Sequence, residues 1–414
     1  MTATTYARPD LRAAAVAAIA LATVFLSAWA AIHFGFYSRE QIVDIPVYEQ
    51  YGEAMVDGEV PYRDFDVEYP PLALPVFAIP ALGDRSYREQ FEWLMAFCGC
   101  LMIGFTVLAA RALGLEFRSL LVVALAPLLL GSVMLTRFDL WPAALTAAAL
   151  AALLSDRLRL GHVVLGAAIA AKLYPAVLLP LAVAYAWRRR GRREGLVCLA
   201  LSAGVVFAAY APFLAVAPVE TLESVGRQLS RPLQIESLGA SVLLAAHQLF
   251  GLELEMHSSH GSQNLVGDAA NVTAVFITVA QVAALAWLWA RFARGPATPR
   301  RLGAYAAAVI VAFVALGKVL SPQFLIWLLP LVPLARRFGA EVLLAGALVL
   351  TQLWFPFRYW DLVREFDPLT SWLVVARDLV LVALLVVVAK AAGDAREVLV
   401  RPQGQAARPG FARR

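Results

Sequence analysis

Apolar runs of about 20 residues recur along this chain from residue 13 to residue 389, and no other feature restricts its possible folds so severely. A helix of that length is about 30 Å long, the thickness of the hydrocarbon core of a bilayer. The sequence between the runs is too short and too apolar for a nucleotide-sugar domain, a P-loop module or a periplasmic head. Of the 414 residues, 61% are hydrophobic and 16% charged, against about 45–50% and about 25% in soluble domains. Lipid offers the backbone no hydrogen bonds, so runs of this kind cross it as helices. The expected fold class is an all-α, polytopic membrane protein.

Full spans are expected near residues 13–32, 91–110, 119–136, 140–154, 195–216, 270–290, 342–356 and 371–389. The charges between them sort by side. Residues 1–12, 111–118, 155–160, 188–194, 291–301, 336–341 and 390–414 carry 23 Lys/Arg against 7 Asp/Glu, whereas 33–90, 217–268 and 357–370 carry 8 against 20. The positive-inside rule then puts both termini in the cytoplasm. Residues 1–390 form one expected transmembrane domain with a first extracytoplasmic loop at 33–90 and a second large external loop at 217–268. Residues 391–414 are expected as a disordered basic cytoplasmic tail. The first run follows Arg8 and Arg12 and is longer than a signal-peptide core, so it is read as an uncleaved helix. The net charge of +5 gives no reason to expect a nucleic-acid partner.

Two stretches, 161–187 and 302–335, are basic at both ends and must go out and come back. Each is interrupted by a lysine and a proline, Lys172-Leu173-Tyr174-Pro175 in one and Lys318-Val319-Leu320-Ser321-Pro322 in the other. Their arms of about 12 to 15 residues reach roughly 18–22 Å, short of a full crossing. They are expected as short or re-entrant hairpins, which brings the total to about 10–12 helices. Broken helices at membrane depth belong where they are buried in protein or line a cavity.

Only three of the 35 basic residues are lysines, and two of them, Lys172 and Lys318, sit at the hairpin tips; Lys390 sits at the last helix end, where a lysine snorkels to the interface. A charge in an apolar span costs at least about 2.5–3.5 kcal/mol on insertion and usually faces a cavity and a partner. A compact ammonium suits a phosphate or a carboxylate, although snorkelling explains these two lysines as well. Arg137-Phe138-Asp139 is a third charged element among apolar runs, either a structural pair capping a turn or a substrate contact. The 33–90 segment holds 11 acidic residues against 4 arginines, among them Asp44, Asp57, Asp64, Asp66 and Glu68, interleaved with Tyr48, Tyr62 and Tyr69. Carboxylates and tyrosines are the groups a sugar site uses, and they are also what a solvated outer loop contains. Asp64-Phe65-Asp66 has the spacing of some metal sites, but hard cations need more oxygens than two, so neither a metal nor another cofactor is expected. Cys98, Cys100 and Cys198, and the five histidines, have neither disulfide nor metal-ligand spacing.

A carboxylate base beside cations, at the depth of lipid headgroups, is equipped for attack by a hydroxyl on a phosphate-activated group. The motifs Gly58-x-x-Pro61-Tyr62-x-Asp64, Glu68-Tyr69-Pro70-Pro71-Leu72, Arg137-Phe138-Asp139-x-x-Pro142, Lys172-Leu173-Tyr174-Pro175 and Lys318-x-x-Ser321-Pro322-Gln323 resemble glycosyltransferase family 87 of the GT-C membrane transferases. That resemblance implies a GT-C-like fold and an inverting transfer of a sugar, with mannose foremost. The donor would be a polyprenyl-phosphate sugar and the acceptor a glycolipid or envelope polysaccharide, at the extracytoplasmic face of the cytoplasmic membrane. It implies a base in the first external loop, which by position is Asp44 with Tyr48 after it; Asp64, Asp66 and Glu68 remain rivals. Lys172, Lys318 and Arg137 would hold the donor phosphate, and Tyr48, Tyr62, Tyr69, Asp139, Tyr174 and Gln323 would contact substrate. The rival class is a transporter or lipid flippase, which also builds sites from paired broken helices. A carrier site lies near the midplane and opens to both faces, whereas these charges gather with an acidic loop on one.

Overall fold

A computed structural model of the chain describes residues 10–36 and 44–395. Most of the basic tail expected at 391–414 therefore lies outside the described residues. The first helix, α1 (Leu11–Ala31), starts at Asp10, whose carboxylate accepts from the Ala13 amide at 2.6 Å. The acidic segment contains α2 (Ile45–Val56) and α3 (Leu74–Ala81). Next comes α4 (Tyr87–Leu113), capped by Ser86 at its start and by Gly114, at φ +65°, at its end.

The stretch expected as a span at 119–136 is not one helix. Pro127 and Gly131, the latter at φ +69°, divide it into α5 (Leu121–Ala124), α6 (Ala126–Leu130) and α7 (Val133–Thr136). It is followed by α8 (Leu140–Leu154), α9 (Leu158–Ala171), α10 (Leu179–Arg190) and α11 (Arg192–Val216). The second acidic segment carries α12 (Pro218–Ser230), β1 (Leu233–Gln234), α13 (Leu238–Phe250), β2 (Glu255–Ser259) and β3 (Ser262–Val266). The chain ends in α14 (Asp268–Ala293), α15 (Pro299–Ala315), α16 (Phe338–Gln352), α17 (Tyr359–Glu365) and α18 (Pro368–Asp394).

The fold is all-α and multi-pass. Five helices, α1 with its π-helical extension, α4, α11, α14 and α18, are long and apolar enough to cross a bilayer. Two more expected spans, α8 and α16, are 15 residues each, about 22 Å of helix. Alanine-rich α8 is buried and packs against both α4 and α9, because small side chains let helix backbones approach closely. α15 is buried along nearly its whole length.

Both broken hairpins begin and end at one arginine-rich end of the molecule. In the first, the feet meet where Asp156 accepts from Arg189 at 3.0 Å and from Arg190 at 2.5 Å, with Arg159 and Glu194 paired at 2.8 Å. Its return arm is a 3-10 turn, Tyr174–Leu178, followed by α10. In the second, Arg301 donates to the Pro296 carbonyl at 2.7 Å and Arg336 to the Leu113 carbonyl at 3.2 Å. Here the return arm is not α-helical: it runs through the 3-10 segments Pro322–Leu328 and Val332–Ala335. Pro322, Pro330 and Pro333 each remove an amide donor from an arm of that length.

A three-stranded antiparallel sheet of order β1-β3-β2, which the apolar pattern does not foretell, covers the opposite, acidic end. β2 and β3 are joined by a two-residue turn, His260-Gly261, at φ +53° and +63°, the conformation a tight hairpin demands. β1 pairs Leu233 with Leu265 and Gln234 with Asn264.

Candidate active site

A cavity of about 430 Å³ opens between the two hairpin breaks, the acidic segment and the sheet. That volume falls in the range that small-molecule sites occupy, roughly 300–1,000 Å³. Its lining brings together Asp44, Glu68, Tyr69, Arg137, Lys172, Tyr174, Lys318 and Gln323, which are separated by as many as 279 positions in sequence.

Asp44 is the N-terminal boundary residue of α2, where Pro46 sets the first turn and the side chain makes no capping hydrogen bond. Its carboxylate forms an ion pair with the buried guanidinium of Arg137, and the Tyr48 hydroxyl donates to it at 3.3 Å. Arg137 reaches the site because α7 ends there in extended backbone, one residue before the Phe138–Asp139 turn that leads into α8.

Lys172 is the extended C-terminal residue of α9. Its ammonium donates to Asp139 Oδ1 at 2.6 Å and lies 4.4 Å from the centre of the Phe138 ring. Asp139, 0% exposed, accepts a second hydrogen bond from Trp327 Nε1 at 2.6 Å. Trp327 in turn stacks flat on Tyr174, with ring centres 4.1 Å apart. The first break is thus a lysine with aromatic walls and a buried carboxylate behind it. At the second break, the Lys318 carbonyl accepts from the Gln234 amide at 3.0 Å, which ties the edge of β1 to the hairpin tip.

The other sequence candidates lie outside the lining. Tyr48 is fully buried beneath it, stacked on Phe77 with ring centres 4.6 Å apart. Tyr62, at φ +67°, is also buried and donates to the Tyr69 carbonyl at 2.6 Å, holding that residue at the cavity edge. Asp64 faces solvent and closes its own turn by accepting from the Val60 amide at 2.8 Å. Hydrogen bonding from the Arg63 guanidinium holds its carboxyl down at about 2. Asp66 is 80% exposed and lies 3.5 Å from Arg227. Of the three rivals to Asp44, only Glu68 lines the cavity, with its carboxylate against Gly261 of the hairpin turn. Among the described residues no group of three His, Cys, Asp or Glu side chains is placed to hold a metal ion.

Sequence reasoning passed over Arg231, Gln234 and Glu236, all in the lining, and Trp327 in its wall. Glu236 is 1% exposed; its carboxylate accepts from Gln234 Nε2, which also donates to Ser321 Oγ at 2.7 Å. The Glu236 main-chain carbonyl accepts from buried Arg377 of α18 at 2.6 Å. Burial pushes the Glu236 carboxyl up to about 7, against the opposing pull of Arg377, Gln234, Arg137 and Arg231. The signal in the sequence was a glutamate just before Ser237, the N-cap of α13, and one acid among six in its segment does not stand out.

The long apolar helices define the chain as a multi-pass membrane protein, and one of its cavities joins carboxylates to four cationic side chains beside tyrosines. The sequence profile of glycosyltransferase family 87 matches residues 68–322, more than half of the chain. The protein belongs to glycosyltransferase family 87 and is a membrane glycosyltransferase. The match takes in Glu68, Arg137, Lys172, Glu236 and Lys318 and begins after Asp44. No curated protein matches the chain.

Proposed function

We propose that this glycosyltransferase transfers a sugar, mannose foremost, from a polyprenyl-phosphate donor to a hydroxyl of a glycolipid or envelope polysaccharide. One observation carries the proposal: Asp44 and the cations Arg137, Lys172, Arg231 and Lys318 line a single cavity. A lipid-linked donor fits the wall formed by Thr278 and Gln281, on a helix, α14, whose Val275, Phe276 and Val279 are exposed apolar side chains suited to lipid. The cavity opens at the acidic end, which by the positive-inside rule is extracytoplasmic.

In this mechanism Asp44 takes the proton of the acceptor hydroxyl as its oxygen attacks the anomeric carbon from the side opposite the phosphate, inverting it. The cations stabilise charge that develops on the departing phosphate, and in a water-poor cavity that stabilisation is strong. The Arg137–Asp44 ion pair gives the two functions an order. A bound phosphate competes for the guanidinium, and Asp44 is released as a base only when the donor is in place. No cofactor enters the scheme. Asp44→Asn is expected to abolish transfer while the purified protein keeps its thermal melting and elution profile. Near-normal turnover by that variant would remove Asp44 from the role.

A further inference from the structure

The carboxyl of Glu236 has no part in the scheme above, yet it lines the same cavity while only 1% exposed. Its placement is enforced from three directions. Gln234 grips one carboxyl oxygen, Ser321 fixes Gln234, and Arg377 grips the Glu236 main chain. Among the described residues no hydrogen-bond partner meets its second oxygen, Oε1. A buried polar atom without a partner costs about 1–3 kcal/mol, so a side chain held this firmly with one oxygen unpaired implies a substrate that completes it.

We propose that Glu236 is the acid that delivers a proton to the leaving phosphate of the lipid donor, the counterpart of Asp44 across the sugar. The proposal rests on the polyprenyl-phosphate reading above. As the bond between the anomeric carbon and the phosphate oxygen breaks, its electron pair stays on that oxygen. The Glu236 O–H proton passes to the phosphate, and the acceptor's proton passes to Asp44, so lipid monophosphate leaves as a monoanion. Solvent then carries the proton from Asp44 back to Glu236. A phosphate monoester dianion takes up its first proton near pH 6, close to the Glu236 carboxyl at about 7, and proton transfer between matched groups is efficient. The charged or titratable groups around Glu236 are Arg377 from α18, Arg137 from the end of α7, Arg231 before β1 and Tyr359 of α17. All three arginines favour its ionised form, and burial outweighs them.

The test is binding of undecaprenyl monophosphate, the leaving group itself, to the purified full chain in detergent at pH 6 and pH 8. A bound phosphate that needs the Glu236 proton loses affinity as that proton is lost. With the carboxyl titrating at about 7, wild-type affinity falls about tenfold more over this interval than that of Glu236→Gln, whose amide donates without titrating. Equal pH dependence in the two proteins overturns the proposal while leaving the lipid-phosphate reading intact. Failure of wild type to bind at pH 6 overturns both. If Glu236→Gln does not fold, Glu236→Asp serves: its carboxyl is one methylene short and should bind at least several-fold more weakly at pH 6, and wild-type affinity in that variant overturns the assignment.

Discussion

Lys172 and Asp139 form the most closed ion pair at the cavity, and its removal separates architecture from chemistry. The ammonium and carboxylate are 2.6 Å apart, with Asp139 0% and Lys172 15% exposed. Lys172→Met leaves a buried carboxylate with only the Trp327 Nε1 donor, and breaking a pair of this kind costs about 3–5 kcal/mol. Asp139→Asn is milder, because Lys172 keeps the Phe138 ring at 4.4 Å and the Trp327 ring at 5.3 Å, each worth about 1 kcal/mol, and its head faces the cavity. The double variant removes both charges and retains an acceptor for Trp327, so it should cost about 1 kcal/mol. The single costs then exceed that of the double variant by at least about 2 kcal/mol, which is the coupling a double-mutant cycle should return, read by denaturant unfolding in detergent micelles. Transfer, in contrast, does not return in the double variant, since the cavity has lost a cation. Additive costs, with coupling under about 0.5 kcal/mol, would refute a buried, mutually dependent pair.

Two further outcomes follow from the same geometry. Asp64→Ala and Asp66→Ala should each leave the rate of sugar transfer within about twofold of wild type, as exposed residues outside the cavity do; a hundredfold loss in either would move the base away from Asp44. Glu236→Gln should melt higher than wild type at pH 8 but not at pH 5. The folded carboxyl titrates at about 7 against 4.5 when unfolded, so wild type loses stability as pH rises through this window, by about 3 kcal/mol in full above it. Parallel melting curves for the two proteins at both pH values would contradict a buried acid at position 236.

Much of this arrangement was legible in the sequence wherever the cause is local. The scarcity of lysine singled out Lys172 and Lys318, and both line the cavity. The feet of each hairpin do meet, the first where Asp156 accepts from Arg189 and Arg190, the second where α15 packs against the Val332–Ala335 segment. Asp44 is adjacent to a helix start that Pro46 already announces. What was hidden depends on contacts between distant positions. Asp139 could be read as a turn cap or a substrate contact; its Oδ1 instead accepts from both Lys172 and Trp327, 33 and 188 positions away. Glu236 is indistinguishable from a solvated loop acid until β1 and α18 close over it. Apolar periodicity also overstated 119–136, because it is blind to how Pro127 and Gly131 break a run that is otherwise uniformly apolar.

The central claim is sugar transfer from a lipid phosphate, and it is tested most directly by incubating the purified protein with radiolabelled polyprenyl-phosphate mannose, other polyprenyl-phosphate sugars and envelope lipid acceptors. Label should move from a polyprenyl-phosphate sugar to the acceptor with inverted anomeric configuration and release of polyprenyl monophosphate. Transfer from nucleotide sugars alone, with every lipid-phosphate donor inert, would contradict the account.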